Sequence, residues 1–274
     1  MAFGLEVINT DGSILIGDTP PLLQVIESGT ITLVSNDVNA VIGTGSYPAN
    51  FYTNNFSLAK MPVSCLGKQW AFSFSGNATT NAPYGLSGVT SLTYGAFAVS
   101  CNNNGTIVPG LLFPKSWQGQ SISYVILDFP IAATSGYGLE VRNAANTVVL
   151  STGNPLFIYK DAVNDLGYGT NWAREPDAAF PPTNGTVVNK TLTIPSGKTP
   201  YILGSNYLRD VFLFHEGNNF YNYYPICLNI MSVSTSNVSF LTRYARRAIY
   251  NYYTFQLRDD AGFQHAKIQV GYVV

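Results

Sequence analysis

Charge is scarce in this chain. Asp, Glu, Lys and Arg make up 11% of 274 residues, and 14 basic against 15 acidic side chains leave a net charge of −1; soluble domains usually carry about 25% charged residues. A nucleic-acid-binding face must neutralise many phosphates, and so few dispersed cations argue against that partner. Histidine is scarcer still, with only His215 and His265. His215-Glu216 starts like a zinc-protease motif, but no second histidine follows at helical spacing, so H-E-x-x-H is absent. Neither a G-x-S-x-G nucleophile elbow nor a phosphate-cradling G-x-x-x-x-G-K-[ST] loop occurs. Cys65, Cys101 and Cys227 are odd in number and far apart, with no C-x-x-C pair. That spacing excludes a disulfide framework and a structural zinc site, and predicts buried free thiols in a reducing cytoplasm. No apolar run reaches the ~18 residues of a membrane-spanning helix, and Met1 to Glu6 has neither a basic nor an apolar leader region. The reading is a protein with no enzymatic activity, no cofactor, no metal and no membrane insertion.

Hydrophobic residues are plentiful at 46%, with 18 Tyr and 16 Phe. The length suits two domains of about 137 residues, and an internal repeat points the same way. Phe3-Gly4-Leu5-Glu6-Val7-Ile8-Asn9 returns as Tyr137-Gly138-Leu139-Glu140-Val141-Arg142-Asn143, at an offset of 134 that continues to Pro21-Leu22 and Pro155-Leu156. An offset close to half the chain length implies duplicated modules. Within each copy, Leu5 and Val7, or Leu139 and Val141, alternate with a glutamate, as in a half-buried strand. Asp11-Gly12 then signals a tight hairpin turn. Its counterpart is Ala145-Asn146, and Asn best replaces Gly where φ must be positive. Ile14 and Ile16, or Val148 and Leu150, carry the return strand, so each module opens with a short β-hairpin whose core residues are Leu5, Val7, Leu139 and Val141.

Elsewhere, short β-branched and aromatic runs alternate with Gly, Pro, Asn and Ser clusters: Thr30 to Val34, Ala71 to Phe74, Ser123 to Leu127, Thr191 to Ile194, Ile230 to Val233, and Ala266 to Val270. This pattern predicts an all-β fold of two tandem β-sandwich-like modules, residues 1–134 and 135–274. One stretch, Phe240 to Tyr253, is open to a short helix that would align Arg243, Arg246 and Arg247 on one face.

Two clusters are candidates for recognition. The run Phe220-Tyr221-Asn222-Tyr223-Tyr224-Pro225, with Arg243, Arg246 and Arg247, is a candidate interface, because tyrosine supplies contact area and a hydrogen-bonding tip at low entropic cost. Core packing of alternate tyrosines is the competing reading. In Trp172-Ala173-Arg174-Glu175-Pro176-Asp177, Trp172 beside Glu175 and Asp177 could bind a sugar ring or, equally, anchor a loop. Paired carboxylates there would also be needed by a polysaccharide-cleaving enzyme.

The hairpin string Phe3-Gly4-Leu5-Glu6-Val7-x-Asn9-x-Asp11-Gly12, and its copy from Tyr137, resembles a Tyr/Phe-Gly-Leu-x-Val-x-Asn/Asp-x-x-Gly motif of tailed-bacteriophage tail proteins. The likeness covers 20–25 residues of each half, and the second copy departs from it at Ala145-Asn146. It implies a tail-tip, baseplate, minor-tail or tail-fibre component of the virion, made in the host cytoplasm and bound to other phage tail proteins. It also implies a homo-oligomer, with trimeric symmetry expected. The alternative within the same resemblance is a receptor-binding tail-fibre protein that contacts a host surface glycan.

Overall fold

The computed structural model describes residues 7–8, 14–16, 23–36, 41–42, 51–83, 91–129, 140–142, 145–146, 148–151, 153–163, 187–204, 210–215, 220–244, 248–251 and 268–274. Among these the fold is all-β. The first half contains β1 (Val7–Ile8), β2 (Ile14–Ile16), β3 (Gln24–Thr32), β4 (Val34–Ser35), β5 (Val41–Ile42) and β6 (Phe56–Lys60). It continues with β7 (Gln69–Ser73), β8 (Thr80–Pro83), β9 (Ser91–Tyr94), β10 (Phe97–Asn103), β11 (Thr106–Pro114) and β12 (Ser121–Asp128). The second half contains β13 (Glu140–Arg142), β14 (Val148–Ser151), β15 (Phe157–Val163), β16 (Val187–Thr191) and β17 (Pro200–Leu203). It ends with β18 (Asp210–His215), β19 (Phe220–Val233), β20 (Asn237–Tyr244), β21 (Ala248–Asn251) and β22 (Ile268–Val273). A five-residue helix, α1 (Phe51–Asn55), precedes β6. No helix among the described residues is long and apolar enough to cross a membrane.

Both expected hairpins are present, and they share a register. Val7 pairs with Ile16 and Ile8 with Ile14, with an irregularity between Val7 and Ile8. Val141 pairs with Leu150 and Arg142 with Val148, with the irregularity between Val141 and Arg142. Every one of these positions is its counterpart displaced by 134. At the second turn Asn146 has φ of 62°, the left-handed conformation for which an Asn substitutes for the Gly12 of the first copy.

At the centre is a six-stranded antiparallel sheet in the order β15-β22-β17-β7-β12-β3, three strands from each half. Its two end strands meet: Gln24 bridges Leu156, the Val25 N–H donates to the Pro155 carbonyl (2.8 Å), and the Phe157 N–H donates to Leu23 (2.9 Å). The sheet therefore closes on itself as a small barrel through this short contact. Alternation along the strands sends Leu23, Val25, Ala71, Val125, Leu127, Phe157 and Leu203 to the inside, where Tyr201 and Val273 pack against them. These side chains fill the interior.

Each half adds a second sheet: β4-β6-β11-β10-β5 from the first and β16-β20-β19-β18, with β21 beside β19, from the second. The outer barrel residues Trp70, Phe72, Ile126, Ile202, Val270 and Tyr272 pack with Leu111 and Phe113 of one flanking sheet and Ile230 and Phe240 of the other in a single cluster. The opposite face of the first flanking sheet is covered by the β8–β9 hairpin, through Ala82 and Tyr94 against Phe56, Leu58, Phe97 and Leu112. The two modules expected at 1–134 and 135–274 thus share one barrel and one core.

The stretch Phe240 to Tyr253 is not a helix where it is described. It runs as β20 and then β21, both paired with β19. Val238 and Phe240, two residues apart, are both buried, which is the strand period. The hydrogen bonds that β19 offers over its 14 residues outweigh whatever helical spacing the arginines had.

The topology repeats as the hairpins do. β6 precedes barrel strand β7 and pairs with β11 of the β10–β11 hairpin; β16 precedes β17 and pairs with β20 of the β19–β20 hairpin. Even a bulge is kept. Ile26 is the extra residue where β3 runs beside β12, and Lys160, 134 positions on, is the extra residue where β15 runs beside β22.

A shared core predicts one unfolding transition. Phe157 is 1% exposed, so Phe157→Ala should cost ~3–5 kcal/mol. The loss should register equally in Trp fluorescence and far-UV circular dichroism during urea unfolding, with coincident midpoints. Two separated transitions would show that the halves fold independently. At the turn, Asn146→Val should cost ~1–2 kcal/mol for forcing a β-branched residue to positive φ, whereas Asn146→Gly should be close to neutral.

Candidate interface

The residues singled out from sequence fall into three groups. Val7 lies on β1 opposite Ile16, and Val141 on β13 opposite Leu150. Tyr221, Tyr223 and Tyr224 lie on β19, and Arg243 lies on β20 opposite Cys227. Leu5, Leu139, Trp172, Glu175, Asp177, Arg246 and Arg247 lie outside the described residues.

Backbone register gathers the tyrosines into a ribbon. The first half of β19 is flanked by β18 on one side and β21 on the other. Tyr221 stands opposite both His215 and Tyr250, Tyr223 opposite Leu213 and Ala248, and Tyr224 opposite Phe212. The pleat puts Tyr221 and Tyr223 on one face and Tyr224 on the other. Arg243 pairs further along β19, beyond this ribbon, so the structure separates in register what the sequence grouped. Aromatic neighbours on adjacent strands suit either packing or a contact surface.

On the second hairpin, Arg142 binds Glu140 through Nε (2.9 Å) and Nη2 (2.7 Å), and its Nη1 donates to the Asn146 carbonyl (3.0 Å). The pair is partly exposed and therefore contributes little stability. It stiffens the hairpin across its turn. In the first copy the position of Arg142 is held by Ile8, so this clamp belongs to the second hairpin alone.

One polar cluster had no signal in the sequence, because its members lie on three separate segments. Glu27 of β3 accepts a hydrogen bond from the Tyr124 hydroxyl of β12 (2.8 Å). The hydrogen bond from the Ser64 side chain, then that from Tyr124, and the Lys68 charge hold its carboxyl below the usual carboxylate range. Tyr124 is pushed up to about 12 by burial and by the adjacent carboxylate, and its ring lies close over Gly29, where a Cβ would meet Cε1 at 2.9 Å. Lys68 pairs with Asp128 at 3.5 Å. An acid held ionised and bonded to two hydroxyls is a structural acceptor; proton donation to a substrate requires the opposite shift. Exposed Val63, Leu66 and Phe129 neighbour Ser64, Lys68 and Asp128 in the chain.

The thiols behave as expected where they are described. Cys65 and Cys101 are free and buried, and burial raises both to about 11, which leaves almost no nucleophilic thiolate at neutral pH. Among the described residues no group of three His, Cys, Asp or Glu side chains converges as metal ligands.

Two outcomes follow. Cys65 and Cys101 should resist a thiol reagent at pH 8 in the native protein and react fully in denaturant; rapid native labelling of either would contradict their burial. Because the folded carboxyl of Glu27 titrates below its ordinary value, its stabilising contribution is complete above about pH 4.5 and is lost as pH falls through the lowered value. Glu27→Gln should therefore flatten the acid limb of the stability profile measured by urea unfolding.

Comparison with known proteins finds no matching family model, no matching curated protein and no matching solved structure.

Proposed function

We propose that this chain is a structural protein of a bacteriophage tail tip or baseplate, which builds the distal tail or anchors tail fibres through protein–protein contacts. The observation that carries the reading is the phage-tail-like motif, used twice and folded both times as a hairpin in one register. A low-charge surface supports it, since large permanent contacts are depleted in charge. So do the two hairpins, each a separate two-stranded sheet whose edge can pair with a neighbouring chain. In this role the protein is non-enzymatic, needs no cofactor, resides in the virion and self-associates, with a trimer as the expected state.

Immunogold labelling of the phage that encodes the chain should decorate the distal tail, and mass photometry of the purified protein at micromolar concentration should show an oligomer. Absence from purified virions, or a strict monomer, would count against the scaffold. Saturable binding on a glycan array would transfer the assignment to a host-glycan receptor. Capsule hydrolysis abolished by Glu175→Gln would transfer it to a depolymerase.

A further inference from the structure

Among the described residues, strands of the two halves pair at three antiparallel crossings, and at each one a residue faces its own repeat equivalent. Leu23 faces Phe157 across the bridge of Gln24 to Leu156. The pairs Phe72–Ile202 and Ala71–Leu203 run on to Trp70 and Gly204, where the Gly204 N–H donates to the Trp70 carbonyl (2.8 Å). Ala96 and Ile230 exchange both backbone hydrogen bonds (2.8 and 2.7 Å). All three pairs are separated by 134 residues. Antiparallel strands that pair equivalent residues are related by a local two-fold axis between them, so the seam has the geometry of an isologous contact.

A side chain that reaches across such an axis meets its own equivalent, and two large ones cannot occupy the same place. At the second crossing the Trp70 indole lies where a Cβ on Gly204 would be, and Trp70 is only 4% exposed. At the first crossing, the Phe157 ring lies over Gly271, where a Cβ would stand 2.6 Å from Cε1. Gly271 pairs with Tyr159, while Leu127 pairs with Val25, the repeat equivalent of Tyr159. Leu127 is thus the counterpart of Gly271, and it accompanies the smaller Leu23 inside the barrel. Volume has been moved across the axis and compensated at both places.

We infer that the barrel seam is an interface between two copies of one repeat that Trp70 and Gly204 have made selective: the partner it fits is the second repeat for the first, and not a like repeat. Two first repeats would set indole against indole at the axis. Two second repeats would leave a void there of about the volume of an indole. The selectivity directs pairing within the chain and works against like-with-like association of the halves, which the shared hydrogen-bond pattern alone would permit.

Urea unfolding of three full-length variants tests this. Gly204→Trp reproduces the first-with-first contact and should have the lowest midpoint or fail to fold. Trp70→Gly reproduces the second-with-second contact and should also be lowered. The exchange W70G/G204W returns the indole from the opposite side of the axis and should have a higher midpoint than W70G alone. A double variant equal to or below W70G, or one that does not fold when W70G does, overturns the inference. If neither Trp70 variant folds, the third crossing decides: A96I/I230A should exceed I230A in midpoint, and failure to do so overturns the two-fold seam.

Discussion

Closure of the central sheet is the constraint on which the rest depends. Six strands present backbone donors and acceptors along two ends, and burying those groups unpaired would cost about as much as losing each hydrogen bond. The contact of Leu23 to Val25 with Pro155 to Phe157 satisfies those groups where the two ends meet. It also joins the first barrel strand of one half to that of the other, so neither half completes the barrel alone. The interior, filled by side chains such as Val125, Leu127 and Phe157, then gains its stability from residues distant in sequence.

Around this barrel the flanking sheets act as covers. Trp70, Phe72 and Tyr272 on the outer barrel face would be exposed without Phe113 on one side and Phe240 on the other. Edge-to-face contacts such as Phe74 with Phe113 (5.1 Å) and Phe74 with Trp117 (5.5 Å) lock the first cover in place. Core packing accounts for buried aromatics such as Phe56, Phe72 and Tyr94.

Much of the local structure was legible from residue order. The hairpins could be read because alternation, a turn pair and a repeated string agreed on one register, and strands such as Ala71 to Ser73 and Ser123 to Leu127 followed from β-branched and aromatic runs. The stretch around Arg243 was not legible, because strand and helix periods compete in a short apolar segment and only the long partner β19 settles the matter. The Glu27, Tyr124 and Lys68 cluster was illegible for a different reason: its parts come together only when β3, β12 and the turn before β7 are side by side.

Strand content, the repeat at an offset of 134 and the hairpin that starts each copy can all be read from residue order, since period-two alternation and turn chemistry are properties of neighbouring residues. That three strands of each copy join one central sheet is a matter of tertiary pairing. Strand order and closure are set by which backbone edges find each other across more than a hundred residues. No local pattern encodes that Leu23 will meet Phe157, or that the Gly204 position must stay empty for Trp70.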